Sequence, residues 1–224
     1  MQVAEALGSD TITILSYANS GHSPYGDQTQ VVGYGTVMFW KYDPLELSSA
    51  QQTELLSLAR TTLSEYLTSG TIPEFETADL VISRRSGAFV TLKKDGELRG
   101  CIGNLYANFP LYRVVQEMTV SAAVSDPRFP PMTSDELEQI SIEISVLSPL
   151  RRITDINGIE VGTHGLVIHQ AGLKGVLLPQ VAIEEGWDRQ AFLENLCLKA
   201  GLPYDCWTGN PILYTFTASV FAED

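Results

Sequence analysis

The sequence predicts an α+β fold, and three observations carry that expectation. Two short turn signals, Asp95-Gly96 and Ala171-Gly172, each separate runs rich in β-formers, the pattern of antiparallel hairpins. Several stretches repeat apolar residues at helical spacing between capping residues and a closing Gly or Pro. Strands and helices are mixed without the regular strand–helix alternation of a doubly wound sheet.

Residues 11–17 (TITILSY) alternate apolar and polar, and residues 31–40 (VVGYGTVMFW) are rich in β-formers, so two strands are expected around a long polar loop. Asp43-Pro44 interrupts the chain. Ser49 with Gln52 makes a capping box, and Gln52, Leu55, Leu56, Ala59, Leu63, Tyr66 and Leu67 follow at helical spacing to Gly70 and Pro73.

The run GAFVTLKKDGELRGCIG is the most specific hairpin signal, because both positions of a two-residue turn need positive φ. An uninterrupted register pairs Lys94 with Glu97, Leu92 with Arg99 and Val90 with Cys101. Val90, Leu92, Arg99 and Cys101 then share one face, with Arg99 and Cys101 about 6–7 Å apart along the strand. A bulge at Gly100 would break this register, and glycine within a strand often marks one.

Asn108 and Pro110 open the next helix, whose stripe is Leu111, Val114, Val115, Met118 and Ala122, and Asp126-Pro127 stops it. Thr133 with Glu136 caps a short helix. Residues 140–147 alternate as a strand, and Ile159-Glu160-Val161 is expected to be a short one. After the second hairpin, Pro179-Gln180 opens a short helix. Asp188 is the N-cap of the last helix, Trp187 and Phe192 flank its first turn, and Gly201 and Pro203 close it. Residues 213–221 read as one final strand.

The chain has 224 residues, 44% of them hydrophobic, enough for one large domain or two small ones. Its net charge of −13 argues against nucleic acid and anionic membrane surfaces as direct partners. The three cysteines, Cys101, Cys197 and Cys206, form no disulfide framework by spacing, which fits a reducing compartment. No basic-then-apolar leader and no apolar run near the ~18 residues of a membrane span is present, so a cytoplasmic location is expected.

The candidate chemistry centres on Cys101. A thiolate is the reactive form of cysteine, and a nearby fixed positive charge favours it. The functional reading makes Cys101 a nucleophile, with Arg99 stabilising the thiolate and His164 moving the proton. The plain reading makes Cys101 a small buried apolar residue. Gly100 and Gly103 would let a ligand approach the backbone closely. Arg128 either clamps a carboxylate or phosphate, or pairs with Asp126 and braces its turn. Gln180 either presents an amide to a ligand or holds the first turn of its helix. Cys197 falls on a core stripe, and Cys206 is open to either placement. His22 has little support as a ligand. The spacings of Cys101, His164, Cys197 and Cys206 match no zinc pattern, so no metal is expected. There is no phosphate loop, dinucleotide fingerprint or nucleophile elbow, and no cofactor is indicated.

LRGCIG, SDPRFPPM, GTHGL, LLPQVA and the helix beginning Trp187-Asp188 occur together in order and resemble the AMMECR domain from about residue 45 to the end. SYANSG followed by VVGYG resembles the C-terminal end of Memo-like proteins. The combination resembles protein A of the AmmeMemoRadiSam system. It divides the chain into a Memo-like remnant at 1–40 and an AMMECR domain at 41–224. The resemblance implies an antiparallel sheet flanked by helices, a smaller inserted lobe, and an N-terminal two-stranded extension. It implies a small-molecule or peptide site in the cleft between lobes, around Cys101. Memo-like and radical-SAM proteins are the implied partners, and a homodimer through the N-terminal strands is a further expectation. The alternative is a non-catalytic binding module in which LRGCIG is structural.

Overall fold

The structure, a computed structural model, describes residues 11–19, 33–40 and 46–223. The chain divides into two compact units, residues 1–44 and 45–224. In the first, β1 (Thr11–Asn19) and β2 (Gly33–Trp40) pair antiparallel, with an irregularity between Ile14 and Ser16. The intervening loop with His22 lies outside the described residues.

In the second unit, α1 (Ser49–Ser69) is capped by Ser48, one residue before the expected cap Ser49. Ser48 accepts from the Gln51 N–H while Gln51 Oε1 accepts from the Ser48 N–H. Gly70, at φ 77°, closes the helix as expected. Next come β3 (Gly87–Lys94), β4 (Glu97–Asn104), α2 (Leu111–Val124) and β5 (Ile140–Leu147). A 3₁₀ turn at Ser134–Gln139, with the Thr133–Glu136 capping box, leads into β5. Then follow β6 (Arg151–Ile153), β7 (Gly165–Gln170), β8 (Leu173–Leu177), α3 (Pro179–Glu184), α4 (Arg189–Lys199), β9 (Ile212–Phe216) and β10 (Ala218–Ala222).

These strands make two four-stranded antiparallel sheets, β10-β5-β3-β4 and β6-β9-β7-β8. The expected single strand at 213–221 is two strands in different sheets. Its continuous β pattern hides a crossing at Thr217, whose N–H donates to Ser148 Oγ and whose carbonyl accepts from the Ser148 N–H. Residues 148–217 therefore form a second lobe inserted between β5 and β10. The expected strand at 159–161 is absent. Ile159 is instead fully buried against the second sheet, and Arg151–Ile153 supplies the short strand.

Each lobe buries one face of its sheet under its own helices. Leu55, Ala59 and Leu63 of α1 and Val114, Val115 and Ala122 of α2 pack on Val90, Leu92, Ile142 and Ile144. Phe192, Leu193 and Leu196 of α4 pack on Leu166 and Ile168. A smaller cluster, Leu105, Leu147, Val167 and Phe216, joins the two lobes. Two of the three cysteines are bonded to each other: Cys197 of α4 is joined to Cys206, which corrects the reading of the cysteine spacing as one without disulfides, and Cys101 is free. Both bridged residues are buried, and the bridge pins the loop after α4 to the helix. No helix among the described residues is long and apolar enough to cross a membrane.

Gly100 of β4 marks the closest approach of helix and strand, since a Cβ there would lie 2.1 Å from the Ala122 carbonyl oxygen. Gly100→Ala should lower unfolding stability by more than about 3 kcal/mol in urea denaturation. Gly158→Ala, where a Cβ meets nothing, should stay within about 0.5 kcal/mol. Replacing both Cys197 and Cys206 by Ala should cost about 2–3 kcal/mol under oxidising conditions, as closing a short loop predicts. The cost should shrink when the wild type is measured reduced.

Candidate functional site

The turn of the β3–β4 hairpin forms as its sequence dictates, with Asp95 at φ 52° and Gly96 at φ 84°. Lys94 pairs with Glu97 and Lys93 with Leu98. The next pair is Leu92 with Gly100, so Arg99 is the extra residue of a bulge. The one-residue shift corrects the expected register: Cys101 pairs with Thr91, not Val90. Val90 and Leu92 face the helices and are fully buried, while Cys101 lies with Thr91 and Phe89 on the opposite face.

The bulge also removes Arg99 from the thiol. Its Nε and Nη2 donate to the two Glu136 carboxylate oxygens at 3.0 and 2.9 Å. Glu136 accepts from Lys94 as well and holds its own pKa down at about 2, with the Arg99 hydrogen bonds as the main cause. Both side chains are mostly covered, at 12% and 16% exposure. Arg99 therefore fastens the hairpin to the 3₁₀ turn. His164 is also occupied locally: its Nδ1 accepts from the Glu160 N–H at 3.0 Å in the turn before β7. The charges acting on the Cys101 thiol come from Arg128, Asp126 and Glu143; neither Arg99 nor His164 is among them.

Cys101 is held by Asp126, which the sequence marks as a helix stop and as a partner for Arg128, not as a partner for the strand. β4 is an edge strand, and the Cys101 N–H points away from β3 to Asp126 Oδ2 at 2.9 Å. Arg128 completes the clamp. Its Nε and Nη2 donate to Asp126 at 2.9 and 2.7 Å, its backbone N–H donates to Oδ1 at 3.1 Å, and Nη2 also donates to the Cys101 carbonyl at 3.2 Å. Asp126 is 2% exposed at its side chain, and the Arg128 guanidinium holds its carboxyl far below the usual range. The turn thus does the hydrogen bonding that a neighbouring strand would do. Thr91 Oγ1 donates to the Cys101 sulfur at 3.2 Å. Burial nevertheless pushes the thiol pKa up, above that of an ordinary cysteine, so at neutral pH it rests as S–H.

A pocket of about 780 Å³ opens beside this clamp. Cys101, Gly103, Asn104, Asp126 and Arg128 of the first lobe line it, with Phe89 and Met118; Lys174, Val176, Val181 and Lys199 line it from the second. Lys174 Nζ lies 4.3 Å from the Tyr106 ring centroid and donates to its hydroxyl at 3.1 Å. Of the glycines beside Cys101, Gly103 lines the pocket and Gly100 is committed to α2 packing. Gln180 does not line it; its Nε2 reaches Ser145 Oγ at 3.5 Å, and its Oε1 is buried without a hydrogen-bond partner among the described residues. Arg128 pairs with Asp126, the second of its two expected roles. Sequence reasoning missed the Asp126 bond to the Cys101 N–H, and missed Lys174 and Lys199 altogether, because the two lysines reach the pocket from the other lobe. No cluster of His, Cys, Asp and Glu among the described residues is arranged to hold a metal ion.

Known proteins share this sequence pattern and this fold. The AMMECR1 family model matches residues 56–221, and the chain belongs to that family. Protein MK0488 of Methanopyrus kandleri is 44% identical over 180 residues, covering 76% of this chain and 87% of its own length. A protein of Methanothermobacter thermautotrophicus is 42% identical over 196 residues, covering 82% of this chain and 99% of its own. The crystal structure of uncharacterized protein PH0010 from Pyrococcus horikoshii superposes with a TM-score of 0.73 at 38% identity, covering 76% of this chain and 90% of that one.

Two measurements check the electrostatics. Glu136 is more acidic folded than unfolded, so its contribution is complete above the unfolded value near 4.5 and disappears as pH falls towards about 2. Glu136→Gln should flatten the stability–pH curve across that window by about 1–2 kcal/mol, allowing for solvent screening. Iodoacetamide labelling of Cys101 should rise with pH along a curve whose midpoint lies above the free-thiol value of ~8.5.

Proposed function

We propose that this chain binds an anionic ligand, a small molecule or a peptide end, in the pocket beside Cys101. One observation carries the reading. On a chain with net charge −13, the pocket gathers Arg128, Lys174 and Lys199 against a single carboxylate, Asp126, which is already spent on Arg128 and Cys101. Neither lysine is in an ion pair among the described residues. Cationic groups left unpaired in a mostly apolar recess are a recognition surface for a carboxylate or phosphate carried on an apolar body.

The reading is one of binding with a protonated thiol in the wall. Arg99 and His164 are engaged with Glu136 and Glu160, so the three-residue nucleophile expected from the sequence is not preassembled.

Thermal-shift titrations with carboxylates and phosphate esters, each beside its neutral amide or alcohol, test the proposal. Anions should raise the melting temperature and their neutral counterparts should not, and added salt should reduce the effect. Lys174→Ala, which breaks no carboxylate pair, should weaken the best anion about tenfold. Equal shifts for charged and neutral members would contradict the reading.

A further inference from the structure

The open edge of β4 narrows the ligand class. In an antiparallel ladder, alternate residues of an edge strand turn their N–H and C=O away from the sheet. The bond from the Cys101 N–H to Asp126 fixes which residues these are: Cys101 and, two positions on, Gly103. At Cys101 both groups are taken, the N–H by Asp126 and the carbonyl by Arg128. At Gly103 neither group has a partner among the described residues, and Gly103 lines the pocket, partly exposed. The clamp therefore covers one step of the edge and leaves the next step open inside a recess.

Arg128 is the cation held on this edge, since its Nη2 rests on the Cys101 carbonyl two residues before Gly103. Its Nη1 makes no hydrogen bond among the described residues, and half of its side chain is exposed. A backbone donor and acceptor pair, followed along the strand by a guanidinium and bordered by apolar walls, matches one ligand chemistry. That chemistry is an amide one residue before a free carboxylate.

Resting on the anion-pocket reading above, we propose that the pocket captures the carboxy-terminal end of a peptide chain. The last residues add to β4 at Gly103 as one step of strand, and the terminal carboxylate meets Arg128. Phe89 accounts for the glycine at this position. Its ring lies 2.2 Å from where a Gly103 Cβ would stand, so a side chain would displace the wall against which the peptide lies.

The probe is a pool of N-acetylated tripeptides with free C-terminal carboxylates, compared with the same pool amidated and with citrate and inorganic phosphate. Binding is read by thermal shift and by competition against a fluorescent member of the pool. Free acids should bind at least tenfold more tightly than amides. Arg128→Ala should abolish that preference. Because Arg128→Ala also frees a buried carboxylate and risks unfolding, a ligand-side change supplies the independent check: replacing the peptide N–H facing Gly103 by an ester oxygen should weaken binding severalfold in the wild type. Binding of citrate or phosphate with none by the peptides would overturn this inference and leave the anion pocket standing. Equal binding of acids and amides, or no binding by any probe, would overturn both.

Discussion

The Asp126 carboxylate is the constraint on which the rest of the site depends. It accepts hydrogen bonds from the Cys101 N–H, the Arg128 N–H and two guanidinium nitrogens, and it is almost wholly removed from solvent. A buried charge is tolerated only when its lone pairs are this fully used. Without it, an edge-strand N–H inside the domain would have no partner, and the guanidinium would have no reason to lie along the strand. One residue therefore sets the position of the thiol, the direction of the Arg128 guanidinium, and the point at which the edge becomes free.

The local features of the fold were legible in the sequence, and the missed ones depend on distant contacts. Asp95-Gly96 specifies its turn by itself, because only those two residues must adopt positive φ. Gly100 marked a bulge as the alternative to the uninterrupted register, but the choice between the two was not legible in the hairpin pattern. The structure has the bulge, with α2 packed too closely on Gly100 for any side chain. Shifting the register by one moved Arg99 off the Cys101 face and gave it to Glu136. The strand at 213–221 looked continuous because both halves are β-rich; the partner that divides it, Ser148, is 69 residues away. Cys197 was readable as buried from its helical stripe, but its bond to Cys206 depends on the path of the loop after α4.

The candidate site divides along the same line. Cys101, Gly103 and Arg128 sit on one hairpin and one turn, and they line a common pocket. His164 was plausible as a loop histidine, yet the backbone N–H four residues before it takes its Nδ1. Lys174 and Lys199 left no sequence signal, since a lysine on a hairpin and a lysine at a helix end usually face solvent. The insertion of residues 148–217 brings them over the first lobe and reverses the local sign of an otherwise acidic protein.

Amide hydrogen exchange along β4 tests this account most directly, because it reads the clamp and the open step on the same edge strand. The Cys101 and Gly103 amides both point away from β3, so their difference reports only what lies outside the sheet. The Cys101 amide should be strongly protected and the Gly103 amide should exchange orders of magnitude faster. In Asp126→Asn the Cys101 protection should fall while core amides such as Val90 keep theirs. Comparable protection at Cys101 and Gly103, or Cys101 protection unchanged in Asp126→Asn, would contradict the account.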